Sequence, residues 1–303
     1  MNRPTLYQTA LLLATMLLSI CLVPNASAQF VPVPPEATHF TLGDFKVSVL
    51  HDDALSFPND GKIFATNASP AAVDKVLKAA GAPTDTILLS VNALLIQMPK
   101  RTILLDTGYG TAGKGVLRES LAKAGVAPDT ISDIFITHSH PDHIGGLIDA
   151  KGRLVFPKAT IRMSAQEWRY LQAQDDARTI VPIIKARVET FEPAKAVLPG
   201  ITPIALPGHT PGHVGYEIAS QGRKLLDIGD MAHSSIISLA DPEWTLAWDS
   251  DPQQASRTRR EELQKLANSH ELVFAPHFPF PGIGRIEPLG QGFRFQPGLP
   301  ADK

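Results

Sequence analysis

The sequence predicts a single α/β domain, and three observations support this prediction. Strand-like and helix-like segments alternate along the chain, which is the pattern of an α/β fold. No change in composition, internal repeat or low-complexity segment divides the chain. Its 303 residues are enough for one large hydrophobic core. The strands outnumber those that a simple doubly wound sheet needs.

The first 28 residues are predicted to be a secretory signal peptide. Arg3 gives the segment a positive start, an apolar run follows from about Leu11 to Val23, and Ala26-Ser27-Ala28 forms an A-x-A cleavage signal. A membrane anchor is the alternative, but the apolar run is short for a spanning helix. We therefore expect a periplasmic or secreted protein without a membrane anchor after cleavage. Cys21 is the only cysteine, so the mature chain has no thiolate ligand, cysteine nucleophile or disulfide.

The mature domain is predicted to span residues 29–303. Residues 29–39 form a Pro-rich leader that we expect to be extended and loosely held. Ser69 as N-cap, Pro70 at the first helical position and Gly81 as the stop predict a helix over 69–81. The other elements predicted in this half are strands at 45–52, 87–98, 101–108 and 131–137, and a helix at 115–125.

In the second half, Ser164 and Glu167 form a predicted capping box that opens a helix over 164–174. Asp251 as cap and Pro252 predict a longer helix over 251–268. Apolar segments predict two strands around a Gly/Pro-rich loop within 201–218, and further strands within 223–230 and 271–277, followed by a tail at 296–303.

The segment "ITHSHPDHIGG" (136–146) holds three histidines and one aspartate. His138 and His140 are two residues apart, so in an extended segment they point the same way. Pro141 then stiffens the chain, and Asp142 and His143 can face a second position. The glycines that follow allow tight approach as we expect the next helix to begin.

Other residues of metal-ligand type follow predicted strands in the same way. His209 lies in "GHTPGH", Asp230 in "GD", and His277 ends the last apolar strand. Ligand sites in α/β sheets form beyond strand ends, so five histidines and two aspartates are expected to converge there. Seven such ligands exceed what one tetrahedral zinc uses. They fit two divalent metals roughly 3.5–4 Å apart that share a carboxylate and a bridging hydroxide. We expect zinc, with manganese, iron, cobalt and nickel as alternatives.

"HSHPDHIGG" resembles the H-x-H-x-D-H signature of the metallo-β-lactamase superfamily, and "DTG" (106–108), "GHTPGH" (208–213), "GD" (229–230) and a late histidine follow in the order of that superfamily. The resemblance covers residues 40–295. It implies a four-layer αβ/βα sandwich with the site at one edge. It also implies a first metal on His138, His140 and His209, a second on Asp142, His143 and His277, and a bridging Asp230.

"LGDFKVSVLHD" and "APHFPFPGIGRIEPLGQGFRF" are similar to methyl parathion hydrolases and their relatives. That resemblance implies an exported dinuclear hydrolase acting on phosphotriesters, lactones or esters, and it makes a homodimer plausible. We expect a bridging hydroxide to attack a small-molecule substrate. The expected catalytic residues are Asp230, Asp142 as the group that collects the proton, and His233 as a hydrogen-bond donor or proton shuttle.

His233 departs from the superfamily pattern, because acyl-homoserine lactonases usually carry tyrosine there and parathion hydrolases an apolar residue. With Phe64 and Trp168 it is a candidate for the substrate pocket; Ile63, Trp244 and Trp248 are weaker candidates. Asp106 and His213 are expected to orient ligand loops rather than to bind metal.

Two other functions stay open. The first is β-lactam hydrolysis. True metallo-β-lactamases place cysteine or serine at the position where this chain has Asp230, which counts against that function. A non-catalytic exported metal-binding protein is the second alternative, but its site would be closed. A net charge of −2 offers no surplus of basic residues for nucleic-acid binding.

Overall fold

The computed structural model describes residues 28–110, 114–175 and 177–300. The predicted signal peptide lies outside the described residues except for Ala28. Within the described part of the chain, no helix is both long enough and apolar enough to cross a membrane.

Two mixed sheets form the centre of the molecule. The first has the strand order β1-β3-β4-β5-β6-β7-β8, with β2 also paired to β3, and the second has the order β14-β13-β12-β11-β10-β9. The strands of the first sheet are β1 (Gln29–Phe30), β2 (Glu36–Leu42), β3 (Phe45–Pro58), β4 (Thr86–Met98), β5 (Arg101–Leu105), β6 (Asp133–Phe135), β7 (Thr160–Ser164) and β8 (Val188–Phe191). Those of the second are β9 (Ile201–Ala205), β10 (Val214–Ser220), β11 (Arg223–Asp227), β12 (Leu272–Phe274), β13 (Ile283–Leu289) and β14 (Gly292–Pro297).

The two sheets pack face to face because their strands are apolar on both sides. On β4, Leu94 and Ile96 belong to the core between the sheets, whereas Ala93 and Leu95 belong to the core on the outer face. Successive side chains of a strand point to opposite faces, so a continuous apolar run marks a strand that is covered on both sides.

Helices cover both outer faces. Helices α2, α4 and α5 pack on the first sheet, and α6 and α7 pack on the second. The resulting α/β/β/α order confirms the predicted four-layer sandwich. The helices are α1 (Pro70–Ala79), α2 (Leu117–Lys123), α3 (Pro141–Ile144), α4 (Ala165–Ala173), α5 (Ala177–Ile184), α6 (Ile237–Ala240) and α7 (Pro252–Ser269).

Local capping signals predicted the helix starts well. The Ser69 side chain accepts a hydrogen bond from the Ala72 N–H at the start of α1. The Asp251 side chain accepts one from the Gln254 N–H at the start of α7. Each bond satisfies a backbone donor that the first helical turn leaves free.

The prediction of a loose leader was wrong for its first residues. Gln29 and Phe30 pair with Ser56 and Leu55 of β3, and the Phe30 ring lies edge-on to the Tyr109 ring, with 5.7 Å between centroids. Strand β2 then starts within the predicted leader, at Glu36. The predicted tail also starts too early, because β14 continues to Pro297. The leader and the start of the tail are both held by pairing with strands that are distant in the sequence. Local composition does not reveal such pairing.

The topology brings the predicted site residues to one edge. The segments that follow β5, β6, β9, β11 and β12 carry Asp106, His138, His209, Asp230 and His277 respectively. Strands of both sheets therefore end at the same place, where side chains from distant parts of the chain meet.

Candidate metal centre

Three histidines and one aspartate form a first ligand group: His138, His140, His209 and Asp230. His140 Nδ1 lies 3.0 Å from His138 Nε2 and 2.9 Å from His209 Nε2. Asp230 Oδ2 lies 3.5 Å from His138 Nε2 and 3.3 Å from His209 Nε2. Four donor atoms therefore surround one point.

Two aspartates and two histidines form a second ligand group: Asp142, His143, His277 and Asp230. Asp230 Oδ1 lies 3.1 Å from His143 Nε2 and 3.0 Å from His277 Nε2. Asp142 Oδ2 lies 3.5 Å and 3.4 Å from the same two nitrogens. Asp230 is common to both groups, and each of its oxygens faces a different one. The structure thus brings together all seven residues that the sequence predicts as ligands.

The donor atoms fit divalent metal ions. His143 Nε2, His277 Nε2 and Asp230 Oδ1 are buried, and no described residue gives them a well-oriented hydrogen bond. Such atoms are costly to bury unless another partner binds them. The donor atoms of each group all lie within 4.8 Å of one another, and the separations of 2.9–3.5 Å given above bracket the edge of about 3.3 Å expected for a tetrahedron with 2.0 Å Zn–N bonds. Nitrogen and carboxylate donors without thiolate suit zinc and its neighbours.

The segment 136–146 divides between the two groups because a helix begins inside it. Pro141 is the first residue of α3, with His140 as the residue before it. Asp142 and His143 thus lie in the first turn of α3, earlier than the helix start that the sequence suggested. Gly145 and Gly146 follow, and a Cβ at either position would overlap the backbone of residues 107–109. Only glycine permits this approach.

Asp106 holds the second group in place. Its Oδ2 accepts hydrogen bonds from His143 Nδ1 at 2.7 Å and from the Thr137 hydroxyl at 2.8 Å, and its Oδ1 accepts one from the Thr137 N–H at 2.8 Å. Its backbone has φ of 59°, a left-handed conformation that aspartate tolerates better than most residues. Asp106 lies where the sequence placed a residue that orients a ligand loop.

Two further ligand histidines are also fixed through their second ring nitrogen. His209 Nδ1 lies 2.9 Å from Asp249 Oδ1, and His277 Nδ1 lies 2.8 Å from the Ser90 carbonyl oxygen. Such contacts set the tautomer and the ring orientation of a histidine ligand.

His213 lies outside both ligand groups. Its Nδ1 donates to the Leu206 carbonyl oxygen at 2.8 Å, and its Nε2 accepts from the Asp230 N–H at 2.9 Å. Burial lowers the pKa of His213 to about 3, so the ring is neutral, as these two bonds require. His213 therefore fixes the backbone of Asp230.

Asp249 and Arg259 form a support that the sequence analysis missed. Asp249 Oδ2 lies 3.4 Å from Arg259 Nη2, and Arg259 donates to the carbonyl oxygens of Met231, Pro242 and Trp244. Both residues are buried. Asp249 lies just before the cap of α7 and has no motif of its own. The available signal was Arg259, which lies on the apolar face of α7 with Ala255 and Leu263.

Glu167 was predicted only as part of a capping box, and that prediction was half wrong. The Ser164 hydroxyl accepts from the Glu167 N–H at 3.0 Å, as a cap does. The Glu167 carboxylate does not return to Ser164. It accepts hydrogen bonds from Ser139, between His138 and His140, and from the Thr210 hydroxyl. Tertiary contacts thus replaced the local bond.

His233 lies beside the shared aspartate. Its Nε2 is 3.0 Å from Asp230 Oδ2, and its ring stacks on His277 with 5.0 Å between centroids and 14° between planes. Trp248 packs on its other side at 5.7 Å. His233 is 2% exposed, and burial lowers its pKa to about 4.

The pocket candidates separate into two places. Phe64 contacts Trp248 edge-on at 5.8 Å, so it connects to His233 through the indole ring. Trp168 packs instead against the core of the first sheet. Ile63 and Trp244 lie with Phe64 in a hydrophobic cluster, which Tyr109 also joins. Tyr109 was not among the residues predicted from the sequence.

Comparisons with known proteins agree with this geometry. The model of the metallo-beta-lactamase superfamily matches residues 86–277. A solved structure described as AidC, a dizinc quorum-quenching lactonase in complex with a product, is 28% identical, with a TM-score of 0.83 over 88% of this chain and 99% of that chain. The hydrolase AbOPH of the β-lactamase superfamily is 26% identical, with a TM-score of 0.82 over 89% of this chain and 100% of that chain.

Among characterised sequences, metallo-beta-lactamase domain-containing protein 1 of Xenopus laevis is 36% identical over 118 residues. That match covers 38% of this chain and 42% of the frog protein. It therefore spans less than half of either protein.

Proposed function

The chain belongs to the metallo-beta-lactamase superfamily, and on this premise we propose that it is a dinuclear metal-dependent hydrolase that opens lactone rings. One observation carries the proposal: the two oxygens of Asp230 face two different ligand groups. A carboxylate shared in this way suits two ions held a few ångströms apart. The similarity to AidC, which is described as a lactonase, supports the choice of a lactone.

The proposed ligands of the first ion are His138, His140, His209 and Asp230, and those of the second are Asp142, His143, His277 and Asp230. Zinc is the expected ion. Two such ions would lower the pKa of water toward about 7 and polarise the substrate oxygen under attack.

The residues of the chain supply orientation and proton transfer. Asp106 and Asp249 hold His143 and His209 through their Nδ1 atoms. The Asp142 side chain is 14% exposed, compared with 3% for Asp230, so its carboxylate is the one that solvent and substrate can reach. Asp142 takes the proton of the attacking water and passes it to the leaving alkoxide. His233 Nε2 lies 3.0 Å from Asp230 Oδ2, and this polar contact keeps the carboxylate in its shared orientation.

An open site also distinguishes an enzyme from a metal-storage protein. The rings of His138, His143, His209 and His277 are buried, whereas His140 and Asp142 are partly exposed. A structural metal site is closed by its protein ligands, whereas a catalytic one keeps a position for water or substrate.

The test is a comparison of hydrolysis rates on purified protein, with the zinc content measured on the same sample. The substrates are an N-acyl-homoserine lactone, a phosphotriester, an aryl ester and a cephalosporin. We expect two zinc ions per chain and the fastest turnover on the lactone, lost on chelation and in Asp230→Asn. Asp241→Asn, at a side chain that is 41% exposed, is the matched control and should turn over normally.

Each other outcome has a definite meaning. If the phosphotriester, the aryl ester or the cephalosporin is preferred, the lactone assignment is wrong although the metal centre stands. If the zinc-loaded protein hydrolyses nothing in the panel, the hydrolase proposal loses its support. If the protein binds no zinc, the ligand assignment is wrong.

A further inference from the structure

We propose that Glu167 is a positioning residue that sets the affinity of the first ligand group, and not of the second, for a divalent metal ion. This inference rests on the ligand assignment of the proposed function. Glu167 is 0% exposed and is no ligand itself. Its carboxylate acts through hydrogen bonds to the two loops that carry the three histidines of the first group.

The hydrogen bonds of Glu167 go to the nearest chain neighbours of the ligands. Its Oε1 accepts from the Ser139 N–H at 2.8 Å and from the Ser139 hydroxyl at 2.6 Å. Its Oε2 accepts from the Thr210 hydroxyl at 2.6 Å. Ser139 separates His138 from His140, and Thr210 follows His209. One carboxylate therefore fixes the spacing between the two loops.

The carboxylate is itself held on a rigid element. Glu167 lies in the first turn of α4, where its N–H bonds to the Ser164 hydroxyl at 3.0 Å. That hydroxyl donates to the Gly212 carbonyl oxygen at 2.7 Å. A Cβ on Gly212 would overlap the Glu167 backbone nitrogen. The loop of His209 thus packs directly on the start of the helix, and movement of one requires movement of the other.

The second ligand group has separate supports. His143 is held by Asp106, and His277 by the Ser90 carbonyl oxygen. Ser90 lies on β4 and Asp106 follows β5, whereas Glu167 lies on α4. Asp230 is common to both groups, and the His138 and His143 rings also touch, with 4.0 Å between centroids. The Glu167 carboxylate, however, bonds only to chain neighbours of the first group's histidines, so disturbing it should change the first group before the second.

The cost of burial points to the same role. Burial raises the pKa of the Glu167 carboxyl, and the bonds from Ser139 and Thr210 oppose that shift. Apolar residues of similar volume often replace buried charged groups without loss of stability. The presence of a carboxylate at position 167 is therefore explained by the Ser139 and Thr210 groups that it orients. Three donors converge on it, and an apolar side chain would leave all three without an acceptor.

The experiment measures the metal affinity of each ligand group by itself. A ligand of one group is removed, so that metal binding reports on the group that stays intact. His277→Ala leaves the first group intact, and His140→Ala leaves the second. Glu167→Ala is introduced into each background, and Co²⁺ affinity is measured by absorbance titration of the metal-free chain. We expect Glu167→Ala to weaken Co²⁺ binding roughly 10- to 100-fold in the His277→Ala background, the usual range for a residue that orients ligands. We expect less than about a threefold change in the His140→Ala background.

Two milder variants keep the test valid if Glu167→Ala does not fold. Glu167→Gln retains one oxygen for Ser139, and Thr210→Val removes only the partner of Oε2. Both variants should weaken Co²⁺ binding to the first group by less than Glu167→Ala does, and only in the His277→Ala background. Gln166→Ala, at an exposed neighbour on α4, is the control and should change neither affinity.

Equal losses in both backgrounds would show that Glu167 acts on general stability, and the proposal would fall. Unchanged affinity in the His277→Ala background would also overturn it. If neither background binds Co²⁺ before Glu167 is changed, the ligand assignment itself is wrong and this proposal falls with it. A failure confined to Glu167 leaves the proposed function standing.

Discussion

Asp249 Oδ1 lies 2.9 Å from His209 Nδ1, although 40 residues separate the two in the sequence. The other oxygen of Asp249 lies 3.4 Å from the Arg259 guanidinium of α7. Arg259 in turn donates to three carbonyl oxygens of residues 231–244. The longest helix of the described residues is thereby connected to one ligand of the first group.

Asp249→Asn should weaken both metal binding and folding. The amide removes the charge that orients His209, so we expect roughly 10- to 100-fold weaker zinc binding. It also leaves the buried Arg259 without a counter-charge, so the free energy of unfolding of the metal-free chain should fall by about 3 kcal/mol. Zinc titration and urea unfolding measure the two effects. Glu243→Gln, which disturbs only a surface ion pair with Arg260, is the control; a folded Asp249→Asn chain with normal zinc affinity would contradict the role of Asp249.

Asp142→Ala tests the proposed path of the proton. At zinc concentrations that fill both groups, we expect kcat to fall roughly 10²- to 10⁴-fold, the range for loss of a positioned acid or base. KM should change much less, since substrate binding depends on other contacts. The measurement is steady-state kinetics with the zinc content determined on the same sample. Full occupancy with an unchanged kcat would remove Asp142 from the mechanism.

The ligands of the candidate site were predictable because their signals are local. Four of the seven lie in the eleven-residue segment 136–146, the other three each follow an apolar strand, and alternation alone gives His138 and His140 a common direction. The apolar runs predicted an α/β domain, and the resemblance of "HSHPDHIGG" to the superfamily signature implied the four-layer sandwich. Residues of metal-ligand type can therefore be seen in the sequence directly after the predicted strands.

The supports of the site were not predictable, because each depends on a partner far along the chain. Glu167 satisfies a local capping pattern, yet its carboxylate turns to residues 28 and 43 positions away. Asp249 has no pattern at all. Helix α5 was missed because Pro182 lies inside it, and proline normally argues against a helix interior. Tertiary contacts decided all three, and a single sequence carries no record of them.

His233→Phe tests whether the imidazole nitrogen matters. Phenylalanine preserves an aromatic ring for stacking on His277 and for packing on Trp248, but it removes the nitrogen that lies 3.0 Å from Asp230 Oδ2. A hydrogen bond to a charged group contributes about 1.5–3 kcal/mol, so we expect kcat to fall roughly 10- to 100-fold while two zinc ions stay bound. Steady-state kinetics on the lactone and the phosphotriester measure the loss for each substrate.

Trp248→Phe is the matched control for His233→Phe, because it changes the packing on His233 and leaves its nitrogen in place. We expect a smaller loss of kcat in that variant. Equal losses in the two variants would assign the effect to packing, and the polar contact of His233 with Asp230 would then have no part in catalysis.

Asp133 provides a test of stability that is independent of metal. It is buried on β6 and accepts hydrogen bonds from Arg101 at 2.7 Å, Arg162 at 3.0 Å and the Ser132 hydroxyl at 2.8 Å. Burial alone would raise the pKa of Asp133, but these bonds outweigh it and hold the pKa below the ordinary value of 3.8. A carboxyl with a lowered folded-state pKa stabilises the fold above its unfolded-state pKa. That contribution disappears as the pH falls through the folded value.

Asp133→Asn should therefore lower the free energy of unfolding at pH 7 by about 2 kcal/mol, the size of a charge-assisted hydrogen bond. Below about pH 4, where the unfolded carboxyl becomes protonated, the difference between the parent chain and the variant should shrink toward zero. Urea unfolding of the metal-free chain at several pH values measures it. Asp129→Asn disturbs only an exposed pair with Lys158 at 3.3 Å and should cost less than about 1 kcal/mol at every pH. A difference between the parent and Asp133→Asn that stayed constant from pH 7 to pH 3 would mean that shape, and not charge, makes Asp133 stabilising.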